Sequence, residues 1–217
     1  MIAARRGLYA LVDTSSLDAR GIDVLAFARA VLAGGPALLQ LRAKNADDAR
    51  TVTLLRAIAP LAKEANVPFF ANDRPDLAAA AAVSGVHVGQ TDETLVSVRR
   101  RFPGLALGVS THDEEQLIAA LAQGPAYIAF GPVFPTVSKC EPDPVVGLTR
   151  LAVAVSRAGS FRVVAIGGIG LGNAAAIART GAFGAVIGAL LPDEGDGALT
   201  SVTRNTRALA ALLGADP

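Results

Sequence analysis

A chain of 217 residues with a net charge of +1 and 18% charged residues has no basic field for nucleic acid or an acidic membrane surface. Trp is absent and aromatics make up 5%, which leaves no stacking platform for single strands, while 52% hydrophobic content marks a globular chain. Cys140 is the one cysteine, so an internal disulfide is excluded and a reducing cytosol is the expected compartment.

Met1 to Gly7 lacks an apolar signal core, and charges and glycines interrupt the Ala-rich stretches before a membrane span is complete. One soluble cytoplasmic domain over 1–217 is expected, with a short N-terminal extension, 1–6. Gly7 to Asp13 reads as a first buried strand, and a helix follows from about Val24 to Leu32, ended by Gly34-Gly35-Pro36. Ala37 to Arg42 is strand-like, and Asn45 or Asp47 can cap the long helix that runs to about Ala65. Val67 to Ala71 is a short strand meeting Asn72-Asp73-Arg74-Pro75, with a helix from about Pro75 to Val83. Gly85 to Gln90 is a fourth strand, with Thr91-Asp92 opening the next helix.

Leu105 to Ser110 is the fifth strand, and Thr111 to Asp113 caps a helix ending by Gly124. Ala126 to Phe130 is the sixth, followed by a long, proline-rich loop from Gly131 to Gly147. A helix from about Leu148 to Ala158 leads into a seventh strand, Val163 to Ile166, which stops at Gly167-Gly168. After a short helix near Asn173, Ala182 to Gly188 is the eighth strand and Thr200 to Leu213 the last helix. Strands alternating with helices across short connections point to a parallel sheet. The eightfold count favours an α/β fold of the (β/α)8 TIM-barrel type over an open doubly wound sheet, at a length slightly below the typical figure of about 250.

In such a barrel the active site lies where strands end and helices begin. Those ends carry Gln40, Arg42 and Lys44 after the second strand, Asn72 and Asp73 after the third, Asp92 after the fourth, and Ser110 after the fifth. The loop after the sixth adds Thr136, Ser138 and Lys139, and the seventh and eighth end on glycines. Two carboxylates facing several cations suit a polyphosphate bound with Mg²⁺, which takes hard oxygen ligands. Arg42, Lys44 and Lys139 would neutralise the remaining charge. Glycine turns ahead of helices present bare N–H groups to a second anion. Each residue also has a plainer reading. Asp73 can be a helix cap, Asp92 a first-turn acid, and Gly167-Gly168 a packing device. His87 reads as a satisfied barrel histidine, His112 as cap or catalyst, Glu114-Glu115 as a solvated helix start, and Cys140 as incidental.

Six motifs in order resemble the thiamine phosphate synthase family over Gly7 to about Gly188. They are Gln40-Leu41-Arg42-Ala43-Lys44, Asn72-Asp73-Arg74, Val86 to Asp92, Gly108 to His112, Gly131 to Lys139, and Ile166-Gly167-Gly168-Ile169. The resemblance implies a transferase of thiamine biosynthesis. It would join hydroxymethylpyrimidine diphosphate to thiazole phosphate or its carboxylate, with Mg²⁺, and release pyrophosphate. On the family's pattern Asp73 and Asp92 hold Mg²⁺, and Arg42, Lys44, Asn72 and Lys139 hold the diphosphate, with Gln40 and Ser110 lining the pyrimidine side. Ser110, Lys139 and Arg42 are the implied catalytic groups. Thr136, Ser138, Gly168, Ile187 and Gly188 would take the thiazole phosphate.

Ser138 and Gly188 depart from the family, which usually has Thr and Ser there. The second change removes a side-chain hydrogen bond worth about 1.5–3 kcal/mol to a charged acceptor. A related thiazole tautomerase typically lacks the second acid, so Asp92 argues for the synthase. A non-catalytic phosphate sensor would not need paired aspartates with three cations. Small-molecule substrates are implied, with neither nucleic acid nor membrane as partner, and a homodimer is compatible.

Overall fold

Eight β-branched and leucine-rich runs become strands: β1 (Leu8–Asp13), β2 (Leu38–Arg42), β3 (Phe69–Asn72), β4 (Gly85–Val88), β5 (Ala106–Thr111), β6 (Tyr127–Phe130), β7 (Val163–Ile166) and β8 (Phe183–Val186). In the computed structural model, which describes residues 6–136, 143–193, 195 and 199–214, they close into a parallel barrel in sequence order. β1 sets Tyr9 opposite Leu38 of β2 and closes the ring by setting Leu8 opposite Gly184 of β8. The expected TIM barrel is therefore the observed one.

The connecting helices are α1 (Thr14–Asp18), α2 (Val24–Ala33), α3 (Asp48–Glu64), α4 (Pro75–Ala80), α5 (Leu95–Arg101), α6 (Glu114–Ala122), α7 (Gly147–Ala158), α8 (Ala174–Ala178) and α9 (Thr200–Gly214). Several start where a short polar side chain takes up an orphan N–H, a device worth about 1 kcal/mol per helix. Asp23, Asp47, Thr94 and Asp113 cap α2, α3, α5 and α6 in this way. Between Asn45 and Asp47, it is Asp47 that caps. α5 starts at Leu95 rather than at Thr91-Asp92, because Thr94 supplies its cap. α1 is an addition to the expected elements: the Asp13 carboxylate accepts from the N–H and the hydroxyl of Ser16. β8 ends at Val186, and a short 3₁₀ turn, Gly188–Leu190, follows it.

Two apolar layers hold the barrel. The larger lies between strands and helices, with Phe27, Leu55, Ile58, Leu151 and Leu209 fully or almost fully buried. Each such side chain contributes about 1.5–3 kcal/mol through burial. The smaller fills the barrel itself with Tyr9, Leu11, Leu38, Phe70, Tyr127, Val164 and Phe183. Its aromatic rings meet edge-on, Tyr9 with Tyr127 at 5.4 Å and Phe70 with Tyr127 at 5.3 Å. Gly108 makes this possible, since a Cβ there would lie 2.1 Å from the Tyr127 ring. Among the described residues no helix is long and apolar enough to cross a membrane.

Candidate active site

β1 and β2 bring the first cations to the barrel mouth. Arg42 ends β2, and its Nη1 donates to Asp13 Oδ1 at 2.5 Å, while the Asp13 Oδ2 is engaged by Ser16. Asp13 is only 6% exposed, so it fixes the guanidinium from beneath and leaves the other donors of the fork for an anion. Lys44, half exposed, reaches Asp73 Oδ2 at 3.2 Å.

Asp73 and Asp92 stand together. Asp73 has a left-handed backbone (φ 61°), which Asp tolerates better than most residues, and its N–H donates to the His87 carbonyl at 2.8 Å. That geometry turns the residue out of β3 at the strand end. The helix-cap reading of Asp73 fails, and so does the first-turn reading of Asp92, since α5 begins only at Leu95. Arg74 occupies the cap position of α4 without a side-chain bond, and Thr94 caps α5. Asp92 instead accepts the Gly89 N–H at 2.6 Å, tying the β4 exit loop.

Burial first, and then the Asp92 carboxyl beside it, push the Asp73 carboxyl above the ordinary carboxylate range; Lys44 opposes the shift. A carboxyl whose proton affinity rises on folding favours the folded state below its ordinary value, and that contribution is lost as pH rises through the raised one. At neutral pH the ionised Asp73 carboxylate therefore works against folding. Asp73→Asn is expected to raise the melting midpoint of the metal-free protein at pH 7 by about 2–4 °C. Calorimetry checks this, and a lower midpoint would show that the Lys44 attraction outweighs the repulsion.

Such a pair is a place for a cation. Among the described residues no cluster of three or more His, Cys, Asp or Glu side chains could hold a metal alone. Two hard carboxylates completed by ligand oxygens and water fit Mg²⁺, which keeps much of its hydration.

Under the mouth runs a polar chain. Gln40 Nε2 donates to the Tyr9 hydroxyl at 2.9 Å, and the Tyr9 and Tyr127 hydroxyls meet at 2.8 Å. Tyr127 lies 2.9 Å from His87 Nδ1, and His87 Nε2 lies 2.9 Å from Ser110 Oγ. His87 also stacks on the Tyr127 ring, 7° from parallel. It is thus a satisfied barrel histidine, as its position within a strand suggests. One of its partners, however, is a candidate site residue.

Across the mouth the glycine turn follows β7. Gly167 and Gly168 have φ of 100° and 63°. Val133 and Phe134 N–H groups donate to the Ile166 and Gly167 carbonyls at 2.8 and 3.2 Å, which stitches the β6 exit loop to this turn. Asn173 clamps the turn, donating to the Gly168 carbonyl and accepting from the Gly170 N–H, both at 2.9 Å. Among the described residues nothing accepts from the N–H of Gly168, Ile169, Gly188 or Ala189. These free donors, at two adjacent strand exits, suit one anion.

Arg42, Lys44, Asn72, Asp73, Asp92 and Ser110 thus occupy consecutive exits from β2 to β5, with buried Gln40 beneath them inside β2, and Thr136, Gly168, Ile187 and Gly188 occupy those from β6 to β8. Ser138 and Lys139, and with them the catalytic role expected of Lys139, lie outside the described residues. His112 is not a cap, since Asp113 fills that role; its Nδ1 lies 2.7 Å from the Gly131 carbonyl and 3.5 Å from Asp143. It ties the β5 exit to both flanks of the following loop. Asp13, Tyr9 and Tyr127 were not singled out by the motifs. For Asp13 its place at a strand end was the available signal; the two tyrosines had none.

A recess of about 780 Å³ on the outer wall, lined by Arg29, Leu199, Thr203, Arg204 and Arg207, contains none of these residues.

The family described as thiamine monophosphate synthase matches residues 8–190. The thiamine-phosphate synthase of Roseiflexus sp. (strain RS-1) is 39% identical over 202 residues, covering 90% of this chain and 84% of that protein. The thiamine-phosphate synthase of Cronobacter sakazakii (strain ATCC BAA-894) is 42% identical over 178 residues, covering 82% and 80%. The solved structure of thiamine phosphate pyrophosphorylase from Pyrococcus furiosus has a TM-score of 0.83 at 30% identity, covering 96% of this chain and 95% of that one. By sequence and by fold the chain belongs to the thiamine monophosphate synthase family, and the reaction its barrel serves is the formation of thiamine phosphate.

Proposed function

We propose that the mouth joins hydroxymethylpyrimidine diphosphate to thiazole phosphate or its carboxylate, with Mg²⁺ held by Asp73 and Asp92. The observation that carries this is the pair of adjoining carboxylates beside Lys44, with Arg42 at the next strand end. When bound, Mg²⁺ neutralises charge on the diphosphate oxygens.

Arg42, held by Asp13, offers its fork to the diphosphate, and Lys44 adds a point charge. Asn72 and Ser110 supply neutral hydrogen bonds, and on the family's pattern Lys139 adds a further charge to the diphosphate. The bond from the pyrimidine methylene carbon to the diphosphate oxygen breaks, and its electron pair leaves with pyrophosphate. The thiazole nitrogen then donates its lone pair to that carbon, forming the new C–N bond. Where the acceptor is the carboxylate, its C–C bond to the carboxyl group breaks, CO₂ leaves, and the electron pair stays with the ring, which takes up one proton. No strong base is needed, so residues that stabilise the leaving charge decide the rate. Gly168, Gly188 and the Ile187 backbone receive the acceptor's phosphate, with Thr136 and Ser138 as hydroxyl donors. The cytoplasm as compartment, supported by the lone Cys140, and a homodimer as the assembly complete the reading.

The test is pyrophosphate release, which should require Mg²⁺ and both ring substrates together. No thiamine phosphate under saturating substrates and Mg²⁺ would sink the proposal. A tautomerase would instead convert its thiazole without metal or pyrimidine.

At Gly188 a Cβ would meet nothing within 4 Å, so a side chain fits. Gly188→Ser is expected to lower the KM for thiazole phosphate by about tenfold through one added bond to a charged acceptor. An unchanged KM would place the phosphate away from this turn.

A further inference from the structure

The chain beneath the mouth draws one side chain from each of five strands: Gln40, Tyr9, Tyr127, His87 and Ser110. Its hydrogens can be counted. Burial holds both phenols far above their ordinary values, so each keeps an O–H hydrogen that needs an acceptor. Gln40 presents its amide nitrogen to Tyr9, so the Tyr9 oxygen accepts there and its own hydrogen goes to Tyr127. Tyr127 must then donate to His87 Nδ1. A neutral imidazole that accepts at Nδ1 carries its hydrogen on Nε2, and Nε2 faces Ser110 Oγ. No buried side-chain N or O atom among the described residues is left without a partner. The reverse order would put three hydrogens around the Tyr9–Tyr127 contact, unless the Gln40 carbonyl oxygen faced Tyr9 instead.

We propose that this chain runs one way, from Gln40 to Ser110, and that His87 is a positioning residue that leaves the Ser110 hydroxyl hydrogen free to donate to the substrate's diphosphate. The assignment rests on the proposed function for Ser110 at the diphosphate. Direction matters because in the reverse order Ser110 gives its hydrogen to His87. It would then turn only lone pairs toward an anion, which repels them. With His87 as donor, Ser110 accepts internally and donates outward. Tyr127 and His87 are thereby placed in the reaction without touching the leaving group.

The chain carries two histidines, and they should differ. His112 Nδ1 faces a carbonyl, which can only accept, so His112 carries its hydrogen on Nδ1. Nitrogen NMR of ¹⁵N-histidine protein should show one Nδ1–H ring and one Nε2–H ring. His87→Gln, used only for assignment, should remove the Nε2–H set. A wild-type His87 with its hydrogen on Nδ1 overturns the proposal, whatever any variant does.

A kinetic cycle reads the consequence. Tyr127→Phe keeps the ring and is expected to lower kcat about tenfold by releasing the His87 tautomer. In a Ser110→Ala background the same change should have almost no further effect. Equal losses in both backgrounds overturn the positioning role while leaving Ser110 at the diphosphate. A fully active Ser110→Ala removes Ser110 from the site, and the proposed function fails at that residue before the chain beneath it is at issue. If Tyr127→Phe does not fold, the wild-type NMR spectrum still decides.

Discussion

Asp92→Ala is expected to cut turnover by roughly a thousandfold or more while the barrel stays folded. The two effects separate because Asp92 has one structural duty. It accepts the Gly89 N–H at 2.6 Å in the loop after β4 and caps no helix, since Thr94 starts α5. Losing that single bond costs about 1 kcal/mol. The same substitution relieves Asp73 of its like-charged neighbour, which raises its proton affinity in the wild type. The destabilisation is therefore partly offset. Function has no such offset, because half of the carboxylate pair is gone and Lys44 keeps Asp73 to itself. Turnover at saturating Mg²⁺ and a melting curve read the two sides. Mg²⁺ should also raise the wild-type midpoint by mass action and leave the variant's unmoved. Wild-type turnover in the variant would take Asp92 out of the metal site, and a collapsed melt would make it structural.

The fold was legible because each unit carries two independent signals. Val163 to Ile166 shows the buried run and Gly167-Gly168 its stop; Asp47 and Asp113 mark where helices begin. Signals failed where they were short or doubled. α1 has five residues, too few for an apolar period to appear, and exists because Asp13 caps it. Thr91-Asp92 reads as the start of the next helix, but α5 begins after Thr94, whose side chain accepts the Ser97 N–H. The rim of the candidate site was legible by position alone, since polar residues cluster at the strand ends.

The layer beneath was not legible. Tyr9 and Tyr127 are separated by 118 positions, and each resembles ordinary barrel filling until the register sets their hydroxyls together. Asp13 and Arg42 are likewise adjacent only through the pairing of β1 with β2. Contacts of this kind depend on register, and no local motif encodes register between strands so far apart. One consequence is that the barrel interior and the rim form a continuous polar path. Substitutions in the apparent core at Tyr9 or Tyr127 therefore reach the rim through His87 and Ser110.

Gly168→Ala is expected to raise the KM for thiazole phosphate about a hundredfold, with little change in the KM for the pyrimidine diphosphate. Packing and phosphate binding looked like rival explanations of Gly167-Gly168. On the proposed function one geometry serves both. A Cβ at Gly168 would lie 2.4 Å from the Pro135 carbonyl oxygen and 2.8 Å from Phe134 Cβ, at a φ of 63° that disfavours alanine in any case. The obstacle is backbone rather than the end of a flexible side chain, so the loop after β6 has to move. That loop is held by the Val133 and Phe134 N–H bonds to the Ile166 and Gly167 carbonyls, and Thr136 follows directly. Displacing it disturbs the turn that carries the free N–H groups of Gly168 and Ile169, which on the proposed function receive the acceptor's phosphate. The carboxylate half stands on β3 and β4 across the barrel, which keeps the donor substrate's affinity intact. An equal rise in both KM values would mean that the loop serves both halves, and an unchanged acceptor KM would leave the glycines as packing only.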